Sequence, residues 1–145
     1  MLLALLVGGV LLWSTALAAA PYALGLQTDR GALIAATAVY AAGSVVCHQR
    51  ADRSFHAWGV KLPVCGRCAG LYAGALLGLL AAVPWVRARP TRTIVAAAAV
   101  PTGATLLLEL AGVVDPGNPG RAAAAVPLGA AVCWLVVGAI RGKVH

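Results

Sequence analysis

The sequence is short of charged residues, and acidic residues are the scarcest of them. Asp and Glu together number 4, against 11 Lys and Arg, and charged residues make up only 10% of the chain. Soluble domains carry about 25% charged residues. This shortage, with 61% hydrophobic residues, argues against an ordinary soluble domain and against a disordered chain. Four cysteines in 145 residues are also too few for a disulfide-rich secreted scaffold.

The net charge of +7 indicates contact with a membrane surface rather than binding of nucleic acid. The basic residues lie in short gaps between long apolar runs, which is typical of residues that anchor a chain at the membrane surface. We therefore expect the lipid bilayer as a partner and expect no nucleic acid.

Five apolar runs approach the roughly 17–25 residues that a membrane-spanning helix needs. They cover residues 1–20, 31–46, 69–86, 93–114 and 122–140. Because a backbone in hydrocarbon must satisfy its own hydrogen bonds, each run is predicted to be helical. The predicted fold class is all-α, a polytopic transmembrane helix bundle of about five spans that forms a single membrane domain.

The first run has a second interpretation as a signal peptide, which would leave four spans after cleavage. Ala16-Leu17-Ala18 has the small-residue pattern of a cleavage site. No basic residue precedes the apolar core, and this favours a retained helix.

Three glycines of the third run, Gly70, Gly74 and Gly78, recur every four residues. This spacing places them on one helix face and predicts close packing against another helix.

Residues 47–68 separate the second and third runs and form the predicted site loop. The loop holds three of the four cysteines and two of the three histidines. Cys65 and Cys68 form a C-x-x-C pair, whose thiolates can bind one metal ion through a tight turn. Cys47 supplies a third thiolate, and His48 supplies a nitrogen. His56 rivals His48, because adjacent residues such as Cys47 and His48 rarely bind one ion together.

The donor set predicts zinc first, although cysteine-rich ligation also suits Cu(I). Four protein ligands would make the metal structural. An open coordination position would instead allow a bound water to hydrolyse a lipid-like or small anionic substrate. A haem is not expected, because attachment needs C-x-x-C-H and Ala69 follows Cys68.

The same cysteines have two other interpretations. A membrane thiol–disulfide oxidoreductase would use Cys65 and Cys68 as its redox pair, with Cys47 as a third thiol for exchange. Alternatively, the three are small buried residues in a tight interhelical loop.

Polar residues of the loop are predicted to surround the cysteines and to bind an anion such as a phosphate or a lipid headgroup. They are Gln49, Arg50, Arg53 and Arg67. Arginines near helix ends also commonly extend to the interface without a further role.

The fourth run contains an acid, Glu109, which should pair with Arg67 or Arg121, carry a proton or face a polar cavity. A third function class follows, a non-enzymatic transporter or assembly factor with an arginine anion site.

The basic residues also predict an orientation for a multi-pass protein of the cell membrane. If the loop arginines belong to a site, the basic residues of 87–92 mark the cytoplasmic side. The site loop is then predicted on the extracytoplasmic side.

The loop resembles a known family of small membrane proteins, domain of unknown function 2085. The family signature runs C-H-Q-R, then R-S-F, then P-V-C-x-R-C-x-G-x-Y-x-G. This chain matches it at residues 47–50, 53–55 and 63–74, and more loosely at Asn118 and Arg121. The family often has an aspartate near Thr105, where this chain departs from it. The resemblance implies a multi-helix membrane protein with a shared polar site, and it implies no particular activity.

Overall fold

A computed structural model describes residues 1–82 and 91–142 of the chain. Within these residues there are five helices: α1 (Leu2–Gly25), α2 (Arg30–Val46), α3 (Gly66–Ala82), α4 (Arg92–Leu110) and α5 (Gly117–Ile140). A 3-10 turn and a two-stranded antiparallel hairpin separate α2 from α3. The turn is Ala51–Arg53, and the hairpin pairs β1 (His56–Ala57) with β2 (Val60–Lys61). The predicted all-α membrane helix bundle is confirmed.

Helix length divides the bundle into two groups. In the described part of the chain, α1, α4 and α5 are long and apolar enough to cross a membrane, whereas α2 and α3 have 17 residues each. The third apolar run was predicted to cover residues 69–86. Its last part falls within residues 83–90, which lie outside the described residues. Arg87 and Arg89, which the orientation prediction used, lie outside them as well.

Helices α3 and α5 form the closest helix pair of the bundle, and they run parallel to one another. Gly70, Gly74 and Gly78 of α3 are buried against the backbone of α5. A Cβ atom added at any of the three would come within 3.0 Å of α5 backbone atoms. Helix α5 returns the contact through Gly129, which meets the backbone at Leu71. Glycine is required here because only a helix face without Cβ atoms permits this approach.

The helices contact one another in the series α2, α1, α3, α5, α4. Helix α1 runs antiparallel to α3, so that Trp13 meets Tyr72 edge to face and Leu17 packs near Cys65 and Cys68. Leu3 at the start of α1 lines a cavity together with Arg141, which follows α5. Both ends of the described chain therefore lie at the same end of the bundle.

Helix α2 lies at the opposite end of the bundle, against the second half of α1. Its residues Ala32 and Ala36 pack with Ala20 and Ala23 of α1. The carboxylate of Asp29 caps its first turn by accepting from the backbone N–H groups of residues 31 and 32 at 2.9 and 3.1 Å. Helix α2 ends at Val46, and the capping residue Cys47 packs against Leu17, in the second half of α1 rather than near its start.

Candidate metal centre

Three cysteine sulfurs meet where α2 ends and α3 begins. The Sγ atoms of Cys47, Cys65 and Cys68 all lie within 4.8 Å of one another, and we call these residues the cysteine cluster. Cys47 caps the C-terminus of α2, Cys65 precedes α3, and Cys68 lies in the first turn of α3. The C-x-x-C spacing therefore brings two thiols together across one helical turn.

Tight packing of the loop brings Cys47 to the other two cysteines. Gly43 in the last turn of α2 lies against the carbonyl group of Pro63, where a Cβ atom would come within 3.0 Å. Val64 and Pro63 are fully buried beside Cys47. The side-chain amide of Gln49 donates to the Tyr40 carbonyl at 2.7 Å, which holds the loop against α2. The returning chain consequently runs close along α2 and places Cys65 beside Cys47.

The surroundings of the cluster favour a thiolate at Cys65, with the neighbouring Cys68 as the thiol that donates to it. The backbone N–H of Cys65 donates to the Sγ of Cys47 at 3.1 Å. A hydrogen bond from the Cys68 thiol lowers the pKa of Cys65 to about 5. Thiolates are the form of cysteine that binds metals and acts as a nucleophile.

The histidines occupy different places relative to the cluster. No histidine nitrogen in the described part of the chain joins the three sulfurs within 4.8 Å. His48 lines the cavity that the cluster also lines. His56 is exposed in β1. Of the two rival nitrogen ligands, His48 therefore lies on the same cavity as the sulfurs.

Glu109, near the end of α4, is surrounded by three arginines from different parts of the chain. Its carboxylate accepts from Arg67 of α3 at 2.7 Å and from Arg121 of α5 at 2.9 Å. Arg53, from the 3-10 turn, lies 3.2 Å away. The Glu109 side chain is only 9% exposed, so that these contacts compensate a carboxylate withdrawn from water. We call Arg53, Arg67 and Arg121 the arginine cluster.

Two further polar residues tie the arginine cluster to the loop, and the sequence had not singled them out for this role. Asn118 accepts from Arg121 at 3.1 Å, and its amide donates to the carbonyl of Ser54 at 3.0 Å. The hydroxyl of fully buried Ser54 donates to the Arg50 carbonyl at 2.8 Å. The spacing of Asn118 and Arg121 signals that they share a helix face. Only the fold shows that this face meets the loop.

One cavity joins the cysteine cluster to the arginines. It has a volume of about 330 Å³. All three cysteines of the cluster line it, as do Arg50, the arginine cluster and His48. The arrangement can hold a metal ion on its sulfurs and, beside it, an anion on its guanidinium groups.

Comparisons with known proteins agree with a membrane protein of this kind. The chain is 48% identical over 42 residues to an uncharacterised protein of Methanocaldococcus jannaschii. That match covers 29% of this chain and 27% of the relative, so that it reaches less than a third of either protein. No solved structure matches the chain significantly. A family profile described as a predicted membrane protein matches residues 47–135, which include the cysteine cluster, the arginine cluster, α3, α4 and most of α5. Because this match covers more than half of the chain, the protein belongs to the family named domain of unknown function 2085 (DUF2085).

Proposed function

We propose that this protein binds a transition-metal ion at Cys47, Cys65 and Cys68, and that the ion is zinc. The observation that carries the proposal is the approach of the three Sγ atoms to within 4.8 Å of one another. Two thiolates on one tetrahedral zinc, each about 2.3 Å from the ion, are about 3.8 Å apart. Small side-chain rotations therefore suffice to bring the three sulfurs into the zinc sphere.

The proposed centre leaves its fourth coordination position open toward the cavity. Three protein ligands and a water or substrate molecule are typical of catalytic zinc, whereas structural zinc usually has four protein ligands. His48 lines the same cavity and competes with water for this position. When bound, zinc would lower the pKa of a water molecule and so supply a nucleophile near neutral pH.

The arginines determine which kind of substrate can lie next to this open coordination position. Arg50 and the arginine cluster supply four guanidinium groups to the cavity lining, and such groups match carboxylate and phosphate oxygens. The site therefore supports a metal-assisted reaction of an anionic substrate at the membrane. A substrate bound by these arginines would lie in the cavity beside the metal and would not have to pass between the helices.

The three thiols also support a second function, thiol–disulfide exchange between Cys65 and Cys68 with Cys47 as the third thiol. Its structural support is the same close approach of the sulfurs. A redox centre would hold no metal and would lose two free thiols on oxidation, which distinguishes it from the first proposal.

Metal analysis of the purified protein separates the two functions. The protein would be purified in detergent without added metal and analysed by mass spectrometry for zinc and copper, with free thiols counted under denaturing conditions. We expect about one zinc ion per chain and four free thiols after the metal is removed. Substitution of Cys65→Ser together with Cys68→Ser should abolish the metal.

Cys133 provides the matched control. It is a buried thiol of α5, away from the cysteine cluster, so that Cys133→Ser should retain the metal. Copper in place of zinc would correct the identity of the metal and keep the site. Absence of metal, together with a deficit of two thiols that a reductant restores, would contradict the metal proposal and support the redox function.

A further inference from the structure

We propose that the cavity beside the cysteine cluster binds the phosphate headgroup of an anionic lipid. The inference rests on the proposed function, because the bound phosphate is the group that would be presented to the metal. Three features carry it: unused arginine donors, two helix N-termini directed at the cavity, and a lining that is apolar toward the lipid.

The arginines are not all consumed by acids of the protein. A guanidinium group has five N–H donors, and Arg67 donates to Glu109 through one terminal nitrogen. The Nε atom of Arg67 is buried and has no hydrogen-bond partner among the described residues. A buried donor without a partner is costly, and because Arg67 lines the cavity, a rotation of its guanidinium group toward a bound anion would give this donor a partner.

Arg50 and Arg53 extend this donor set toward solvent. Their side chains are 61% and 38% exposed, and both line the cavity. Arg50 pairs with Asp52 at 3.3 Å, a contact that water and salt weaken because both side chains are exposed. Arg50 can therefore turn to an incoming anion without breaking a buried ion pair, and Arg53 can bind the anion with the N–H donors that its contact with Glu109 leaves free.

The helices add a second source of positive potential. Helices α3 and α5 are parallel, with Gly66 beside Asn118, so that both begin at the cavity end of the bundle. The N-terminus of each helix is the positive end of its dipole and carries backbone N–H groups, of which the Gly117 N–H of α5 already donates to Asp115 at 2.9 Å. The four arginines also outnumber the three acids that they contact, Asp52, Glu109 and Asp115. This excess, together with the two helix N-termini, favours an anionic group such as a phosphate.

The apolar part of the lining favours a lipid over a free ion. Val46 of α2 and Leu106 of α4 line the same cavity and are 62% and 39% exposed. Helices α2 and α4 lie at the two ends of the helix series, so that the cavity is bordered by helices that face lipid. An acyl chain can pass these side chains while its phosphate lies on the arginines, whereas inorganic phosphate gains nothing from them.

Calorimetric titration of the metal-loaded, full-length protein in detergent micelles tests the inference. The probe is dioctanoyl phosphatidic acid, with dioctanoyl phosphatidylcholine and inorganic phosphate as comparison ligands. The test variant is Arg50→Gln with Arg53→Gln. The control is Arg30→Gln with Arg141→Gln, which removes the same charge at exposed residues that do not line this cavity.

We expect phosphatidic acid to bind, and to bind at least about tenfold more weakly to the test variant, because charge-assisted hydrogen bonds are lost. The control variant should match the unmodified protein, and zinc content should be unchanged in both variants. Equal affinity for phosphatidylcholine, or an equal loss in test and control variants, would overturn the inference. Equally tight binding of inorganic phosphate would show that the ligand is the free ion and overturn the lipid assignment.

Two results keep the proposals separate. Phosphatidic acid binding that is lost in the test variant while zinc remains supports the lipid inference by itself. Zinc that is absent from a protein which still binds phosphatidic acid contradicts the metal function and leaves the anion site intact.

Discussion

Two acids contact the same arginine at nearly the same distance, and their burial predicts very different contributions to stability. The Arg121 guanidinium lies 2.9 Å from Glu109 and 2.8 Å from Asp115. The Glu109 side chain is 9% exposed, whereas that of Asp115 is 73% exposed. If distance determined the energy, neutralising either acid would cost the same. If burial determines it, the two costs should differ severalfold.

The expected magnitudes follow from what each substitution leaves behind. Glu109→Gln keeps the shape of the side chain but leaves Arg67, which is 17% exposed, without its countercharge. Arg121, which is 6% exposed, then keeps only the solvent-exposed Asp115 as a partner. Removing one partner of a buried ion pair costs about 3–5 kcal/mol. Asp115→Asn removes an exposed partner, for which about 0–1 kcal/mol is typical.

The assay is reversible unfolding in mixed micelles, followed by tryptophan fluorescence and far-UV circular dichroism as the denaturing detergent fraction rises. The free energy of unfolding is compared at a fixed detergent composition. Adding Arg67→Gln to Glu109→Gln should recover part of the loss, because one uncompensated charge is removed. Equal losses for the two acids, or a loss below about 1 kcal/mol for Glu109→Gln, would refute the reasoning.

Three further predictions concern packing, topology and the metal. Gly74→Val should lower the free energy of unfolding by about 1–3 kcal/mol or more, because its side chain would meet the α5 backbone; Gly103→Val, where nothing lies within 4 Å, should have little effect in the same unfolding assay. Reporter fusions at both chain ends should report the same side of the membrane. A cysteine introduced at Gln27 should be labelled from the other side, which we expect to be extracytoplasmic. Chain ends on opposite sides of the membrane would contradict this topology. Removal of zinc by a chelator should lower the thermal midpoint of the unmodified protein, and the midpoint of the Cys65→Ser, Cys68→Ser variant should not respond to the chelator.

The sequence indicated the membrane bundle because hydropathy over about 20 residues needs no knowledge of tertiary contacts. It also indicated the cysteines, because C-x-x-C is a local pattern whose two sulfurs meet across one helical turn. The position of the third sulfur, that of Cys47, does not follow from a local pattern. Its approach depends on the path of residues 48–64, which the contact between Gly43 and Pro63 helps to define.

The pairing of Glu109 was open for the same reason. From the sequence, Glu109 could pair with Arg67 or with Arg121, and a proton-carrying role was also possible on chemical grounds. The structure brings both arginines to it, together with Arg53. These residues are far apart along the chain and belong to separate elements, so that local spacing contains no information about their meeting.

The sequence by itself therefore determined that this protein lies in a membrane, that it is built from helices, and which residue types form its site. Only the tertiary structure decided that α2 packs on the second half of α1, that the start of α1 lies near Arg141, and that thiols and arginines share one cavity. The physical reason is one of range. Apolar runs and short motifs act between neighbours in the chain, whereas the order of the helices depends on which faces permit close backbone approach, as the glycines of α3 do against α5.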